Sequence, residues 1–190
     1  MRYEKGRKDA SRQRIMGVAA DRFRDDGIAA SGLAGIMSEA GLTNGAFYPH
    51  FKSKAELVRE TVGVALDEQT RRMQAILADG GIAHAIDAYL SGKHRDNPAK
   101  GCAFAALLPE LGRQPRETRR LVAERLSESA DQTAAALPPE TRDPEAMALA
   151  LQALLVGSLQ LARAVQGTPL SDRILAAGMD AAKTLIGAGK

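Results

Sequence analysis

The chain contains one cysteine and no tryptophan, and aromatic residues make up only 4% of its 190 positions. A single thiol excludes an intrachain disulfide and a cysteine-rich metal site, and it fits a reducing cytoplasm. The shortage of aromatic residues, set against abundant Ala and Leu, argues for helices over sheets. His84 and His94 stand at no ligand spacing with Cys102, so neither a metal nor a cofactor is expected; both histidines read as surface or capping residues. The polar N-terminus carries no signal peptide. No nucleophile–base pair, carboxylate pair or phosphate loop stands at useful spacing, and Gly80-Gly81 lacks the lysine and hydroxyl of a P-loop. An enzyme is therefore not expected. The most apolar long segment, Pro144 to Gln166, is interrupted by Gln152, Ser158, Gln160 and Arg163, which argues against a membrane span.

Apolar residues at 45% suffice for a real core. The net charge of +3 is unevenly placed. Residues 1–54 hold ten Lys/Arg against six Asp/Glu, or +4, and residues 55–190 hold sixteen against seventeen, or −1. Positive charge thus gathers in the first quarter of the chain, as an electrostatic footprint for phosphate would.

The most informative stretch lies in that quarter, from Ser31 to Lys54. Leu33, Ile36, Met37 and Ala40 recur at helical spacing, with Ser31 as a prospective N-cap and Gly41 as a left-handed stop. Leu42 is an apolar plug, and Thr43 can cap a second short helix reaching about Tyr48. Phe47 and Phe51 point to the core, together with Phe23 of a first helix spanning about Asp9 to Asp26 and ended by Gly27. Ser53-Lys54-Ala55-Glu56 forms a capping box for the next helix. Apolar helix, glycine turn and capped short helix make a helix-turn-helix, whose second helix enters the DNA major groove. Small or polar Thr43, Asn44, Gly45 and Ala46 are then placed near base edges. Ser31, Tyr48, His50, Lys52 and Lys54 are placed near phosphates. Asn44 is the best base reader, because a carboxamide can pair bidentately with adenine. Pro49 lacks an N–H and should end the recognition helix. Met1 to Lys8, with four cations, reads as a flexible arm, either solubilising or adding DNA contacts.

Gly41-Leu42-Thr43, Gly45, Phe47-Tyr48, His50-Phe51, Lys54 and Glu56-Leu57 together resemble the DNA-binding signature of the TetR family of bacterial repressors. The resemblance covers about Asp9 to Leu66. It implies an all-α protein with an N-terminal arm and helix-turn-helix unit over 1–54, and a larger helical effector-sensing and dimerisation region over 55–190. It also implies a double-stranded DNA operator, a homodimer built on the last two long helices, and a small-molecule effector. The alternatives are a non-specific DNA-coating protein and, more remotely, an all-α enzyme.

Beyond the motif, helices are expected over Ser53–Ala78, Ile82–Ser91, Gly101–Leu111, Pro115–Leu137, Pro144–Gln166 and Ser171–Ile186, with a polar loop from Gly92 to Lys100 and a possible interruption at Pro109. Met73, Tyr89, Phe104, Leu107, Leu108, Met147 and Leu151 are candidates to line the effector pocket, with plain core as the other reading. The low aromatic content argues against a large stacking cage, and no acid or base cluster marks a charged ligand. Cys102 stands at a helix start near Lys100, a setting that activates thiols. The resemblance extends to family members that respond to oxidants or electrophiles there. A buried small hydrophobe is the alternative.

Overall fold

No proline stands between the second residue and Gly27, and the first helix runs through Gly6 and Gly17 over that stretch. The computed structural model describes the backbone of residues 2–187 and their side chains except those of residues 2–5 and 7. Helix α1 spans Arg2–Asp26. The segment expected as a flexible arm is therefore the first turns of this helix, and Met1 lies outside the described residues. Ile15, Met16, Ala19 and Phe23 face inward at 5% exposure or less. Gly27 ends the helix at φ 88°, a left-handed conformation that costs glycine little.

Helix α2 spans Leu33–Glu39 and is followed by a single 3₁₀ turn, Asn44–Ala46. Helix α3 is long, Lys54–Tyr89, and Gly81 at φ 69° breaks it where the Asp79-Gly80-Gly81 sequence predicts. The expected polar loop instead holds short helix α4, Gly92–Arg95, and a 3₁₀ turn, Pro98–Lys100. Ser91 explains the first of these: its hydroxyl accepts from the His94 N–H at 3.2 Å.

Helix α5 spans Ala103–Leu111 and keeps Pro109 inside it. The proline has no N–H for the Ala105 carbonyl. The Gln160 amide from a neighbouring helix donates to that carbonyl instead, so the helix continues. Helix α6 spans Arg116–Ala135, α7 Pro144–Ala164 and α8 Pro169–Leu185. Asp143 caps α7 by accepting from the Ala146 N–H at 3.0 Å. Ser171 does not cap α8, which starts after Thr168. Ser171 is fully buried and donates to the Ala162 carbonyl at 2.7 Å, stitching α8 to α7.

The described residues contain no strand. A continuous apolar cluster runs from Ile15, Phe23, Phe47 and Phe51 through Leu57 and Leu66 to Phe104, Leu159 and Leu175. The small N-terminal unit and the larger helical region thus share one core, and the part of α3 before the Gly81 break crosses between them. By length and composition α7 could cross a membrane. Its buried face, with Ala148, Leu151, Leu159 and Ala162 at zero exposure, packs instead on neighbouring helices.

Candidate nucleic-acid interface and the cavity behind it

The turn between α2 and the 3₁₀ element is fixed by backbone bonds. Leu42 N–H donates to the Met37 carbonyl at 2.9 Å and Gly41 N–H to the Ser38 carbonyl at 3.0 Å. Gly41 takes φ 68° between them, the left-handed residue this helix stop requires. Beneath the turn, Phe47 stacks on Phe51 at 5.6 Å between centroids, both nearly without exposure. Arg12 of α1 lies over the Phe51 ring at 4.7 Å and pairs with Glu60 of α3, so α1, α3 and the segment that carries Phe51 are tied together under the motif.

On this base stands an exposed tip. Thr43, Asn44 and Gly45 are exposed, and Thr43 makes no capping bond with its side chain. Tyr48 is 72% exposed, and Lys52 is exposed beside it. Four placements differ from expectation. The second helix does not reach Tyr48: it is one 3₁₀ turn, and Phe47 closes it because its ring is drawn into the core. Ala46 is half-buried and packs against the same core, which turns it away from the exposed tip. Ser31 is fully buried; its hydroxyl donates to the Gly27 carbonyl at 2.7 Å, and Gly32 takes the N-cap position without a side-chain bond. Ser31 therefore cannot touch phosphate in this conformation. Lys54 is half-buried and donates to the Ile28 carbonyl at 2.6 Å. An ammonium has further N–H groups to offer, but this one is anchored.

His50 is half-buried, and its Nδ1 has no hydrogen-bond partner. Desolvation, with the positive charges of Lys8 and Arg12, holds its pKa below 6.5. It is a neutral donor near neutral pH rather than a cation. The capping box forms: Ser53 Oγ accepts from the Glu56 N–H at 3.2 Å, and the Glu56 carboxylate accepts from the Lys52 N–H.

A residue that sequence inspection misses connects this unit to the larger region. Glu110, near the end of α5, accepts from the Ile28 N–H at 3.0 Å and the Ala29 N–H at 2.7 Å. Its carboxylate thus holds the α1–α2 loop. A Cβ at Gly27 would lie 2.6 Å from Glu110 Oε1, so a side chain there would push the carboxylate off these bonds in addition to straining φ. No local pattern announces a partner some eighty residues away.

From Cys102 to Pro109, α5 borders a cavity of about 430 Å³ lined also by α3, α6 and α7. Of the expected lining residues, Met73, Tyr89, Phe104, Leu108 and Leu151 are on its wall, and so is the expected sensor Cys102. Leu107 and Met147 are not: Leu107 is 2% exposed in the main core, and Met147 packs against the second cluster around Ile86 and Ile186. Leu149, Ala153 and Gly157 of α7 are exposed members of the wall, so the cavity reaches the surface there.

Cys102 is the N-cap of α5 and is buried, with its Sγ accepting from the Ala105 N–H at 3.5 Å. The nearby cation expected to act on it is engaged elsewhere, since Lys100 pairs with Asp21. His94 is the capping residue here. Its Nε2 accepts from the Cys102 N–H at 2.9 Å, which leaves Nδ1–H to donate to the Tyr89 carbonyl at 2.7 Å. Burial and the Arg163 and Arg72 charges hold His94 below 6.5, partly opposed by the Tyr89 carbonyl. Tyr89 hydroxyl is buried without a nitrogen or oxygen partner, and burial beside Cys102 pushes its pKa well above 10.

Residues 15–61 match the model of bacterial regulatory proteins of the tetR family. Over 66 residues the chain is 38% identical to the HTH-type transcriptional repressor KstR2 of Mycolicibacterium smegmatis, covering 35% of this chain and 32% of that protein. Over 59 residues it is 39% identical to the HTH-type transcriptional regulator AcrR of Shigella flexneri, covering 31% and 27%. The matched stretch spans about a third of the length of these curated relatives. The reduced form of E. coli NemR has the same fold, with a TM-score of 0.78 over 93% of this chain and 96% of that one at 18% identity. A TetR-family regulator from Cytophaga hutchinsonii gives 0.77 over 95% of each chain at 19% identity. The chain thus carries the tetR-family region over residues 15–61 and shares the fold of such regulators over nearly its whole length.

Proposed function

We propose that this protein is a cytoplasmic transcriptional repressor that binds a palindromic operator as a homodimer and is released when the cavity behind α5 is occupied or Cys102 is modified. The observation that carries the reading is the tip: Thr43, Asn44 and Gly45 stand exposed on a turn anchored by buried Phe47 and Phe51. Asn44 takes the base-reading role, and Tyr48 and Lys52 hold phosphates. Lys54 adds a phosphate contact only through the N–H groups that Ile28 leaves unused. In this reading residues 1–54 are the DNA-binding unit and 55–190 the sensing and dimerisation region.

The dimer has support in the exposed faces of the last two helices. Leu149, Ala153, Gly157 and Leu161 form an exposed stripe at four-residue spacing along α7, and Leu170, Ala177, Ala181 and Leu185 form another along α8. Small residues between flanking leucines permit close helix approach, and a second copy supplies the complementary face. One 3₁₀ turn offers few base contacts; two related by symmetry read half-sites roughly 34–36 Å apart. Sensing has support in the placement of α5, whose first residues border the cavity and whose Glu110 grips the α1–α2 loop. An occupant that favours one position of α5 would shift the DNA-binding unit by its difference in affinity for the two positions.

The test is fluorescence anisotropy with a duplex carrying the operator and an unrelated duplex. Asn44→Ala is expected to lower the ratio of specific to unrelated affinity by about ten- to a hundredfold, the value of one bidentate base contact. Lys52→Ala is expected to weaken both duplexes alike and to reduce the salt slope by about one. A coating protein would show no sequence ratio to lose.

A further inference from the structure

The cavity's wall contains no Asp, Glu, Lys, Arg or His. Its polar members are three glutamines, Tyr89, Ser129, Thr133 and Cys102. All three glutamines are held at one end and unclaimed at the other, Gln152 by its Nε2 donating to Ser129 Oγ at 2.8 Å. Gln69 Oε1 accepts from the Ala103 N–H at 3.0 Å, so its amide nitrogen is a donor left over. Gln160 donates its amide nitrogen to the Ala105 carbonyl, so its Oε1 is an acceptor left over. A backbone N–H or carbonyl fixes the orientation of each amide, because an N–H can only donate and a carbonyl only accept. The Tyr89 hydroxyl, 8% exposed as a residue, has only the Cys102 thiol beside it and no nitrogen or oxygen partner, and Gln152 Oε1 has none. Buried polar groups without partners are costly, and a ligand able to pair with them recovers that cost.

We infer that the cavity is built for a neutral, largely apolar molecule bearing a hydroxyl group, held by pairing that hydroxyl with Tyr89 and the unclaimed ends of the glutamines. A hydroxyl donates one hydrogen bond and accepts up to two, so it meets the leftover donor, Tyr89 and one of the leftover acceptors. The rest of the molecule lies against Met73, Phe104, Leu108 and Leu151. About 430 Å³ accommodates some fourteen waters at ~30 Å³ each, which sets the ligand at roughly ten to twenty non-hydrogen atoms. A carboxylate or ammonium would find no ion-pairing side chain on the wall itself; the Arg163 guanidinium stands behind Tyr89 and Cys102, engaged by the His94 and Arg95 carbonyls, and an isolated buried charge is strongly disfavoured.

This inference rests on reading the larger region as a sensor, and its test separates the two. Calorimetry on the full-length protein without DNA compares 4-phenylphenol, biphenyl and biphenyl-4-carboxylate, which share one skeleton. The phenol is expected to bind at least tenfold more tightly than biphenyl, and the carboxylate not to bind. Tyr89→Phe should abolish most of the phenol's advantage, leave biphenyl affinity unchanged, and leave the thermal midpoint of the unliganded protein unchanged or raised, because the lost hydroxyl had no nitrogen or oxygen partner. Gln152→Met, tested in parallel, should also narrow the phenol-to-biphenyl ratio. Equal or tighter binding of the carboxylate, binding of none of the three, or a ratio unmoved by both variants would overturn the inference. Adding the phenol to the protein–operator complex is a separate readout. Binding without release keeps the ligand assignment and removes the sensor reading.

Discussion

Replacing Glu110 by alanine removes one acceptor from two backbone donors on the α1–α2 loop. The two bonds differ in what the loss leaves behind. Ile28 is 5% exposed, so its N–H, 3.0 Å from Oε1, is poorly placed to find water once the carboxylate is gone. Ala29 is exposed, and solvent can take over its 2.7 Å bond. A hydrogen bond to a charged group contributes about 1.5–3 kcal/mol, and the re-solvated one much less, so Glu110→Ala should cost about 2 kcal/mol. For a protein of this size that corresponds to a thermal midpoint lowered by roughly 4–8 °C. Glu110→Gln retains one carbonyl oxygen and should lose about half as much. Urea denaturation followed by far-ultraviolet circular dichroism, at fixed protein concentration because a dimer's stability depends on it, gives the difference directly. An alanine variant within about 0.5 kcal/mol of the parent would show that the carboxylate does not secure the loop, and the link from α5 to the DNA-binding unit would fail with it.

Three further outcomes are expected. Gly41→Ala meets no atom within 4 Å but must adopt φ 68°, so strain alone should lower stability by about 1–2 kcal/mol in the same denaturation assay, without a change in secondary structure. His94 and His50 both titrate below 6.5 in the folded chain. The unfolded chain therefore takes up protons first as pH falls, so their contribution is complete above pH 6.5 and declines as the pH drops below it. His94→Gln should flatten that decline in unfolding titrations between roughly pH 7 and 5. Leu161, 61% exposed on the α7 stripe, should tolerate Glu as a residue of the isolated fold, yet Leu161→Glu should convert a dimer to a monomer by sedimentation velocity with its helical spectrum intact.

The helices and their stops were legible because their signals are local. Gly27, Gly41, Gly81, Asp143 and the Ser53 box each act within a few residues of themselves. Phe23, Phe47 and Phe51 were legible as core because periodicity and size agree. What escaped was decided by distant partners or by competition between neighbours. Ser31 looks like a cap but bonds backward to Gly27 and is buried. Ala46 and Lys54 sit on a polar stretch, yet one turns to the core and the other to the Ile28 carbonyl. Pro109 survives inside a helix only because Gln160 lies fifty-one positions later and across the bundle. Of the pocket, five of the seven expected lining residues are on the wall, but its character comes from glutamines that no apolar pattern would select.

The central claim is that two exposed tips, one per subunit, read a symmetric DNA site. Selection of duplexes from a random pool by the purified protein tests it most directly. The account predicts enrichment of one palindrome, with half-sites centred about one helical turn apart or a multiple of it, and loss of that enrichment for Asn44→Ala. Recovery of unrelated sequences with equal affinity, or of a single asymmetric site, would contradict it.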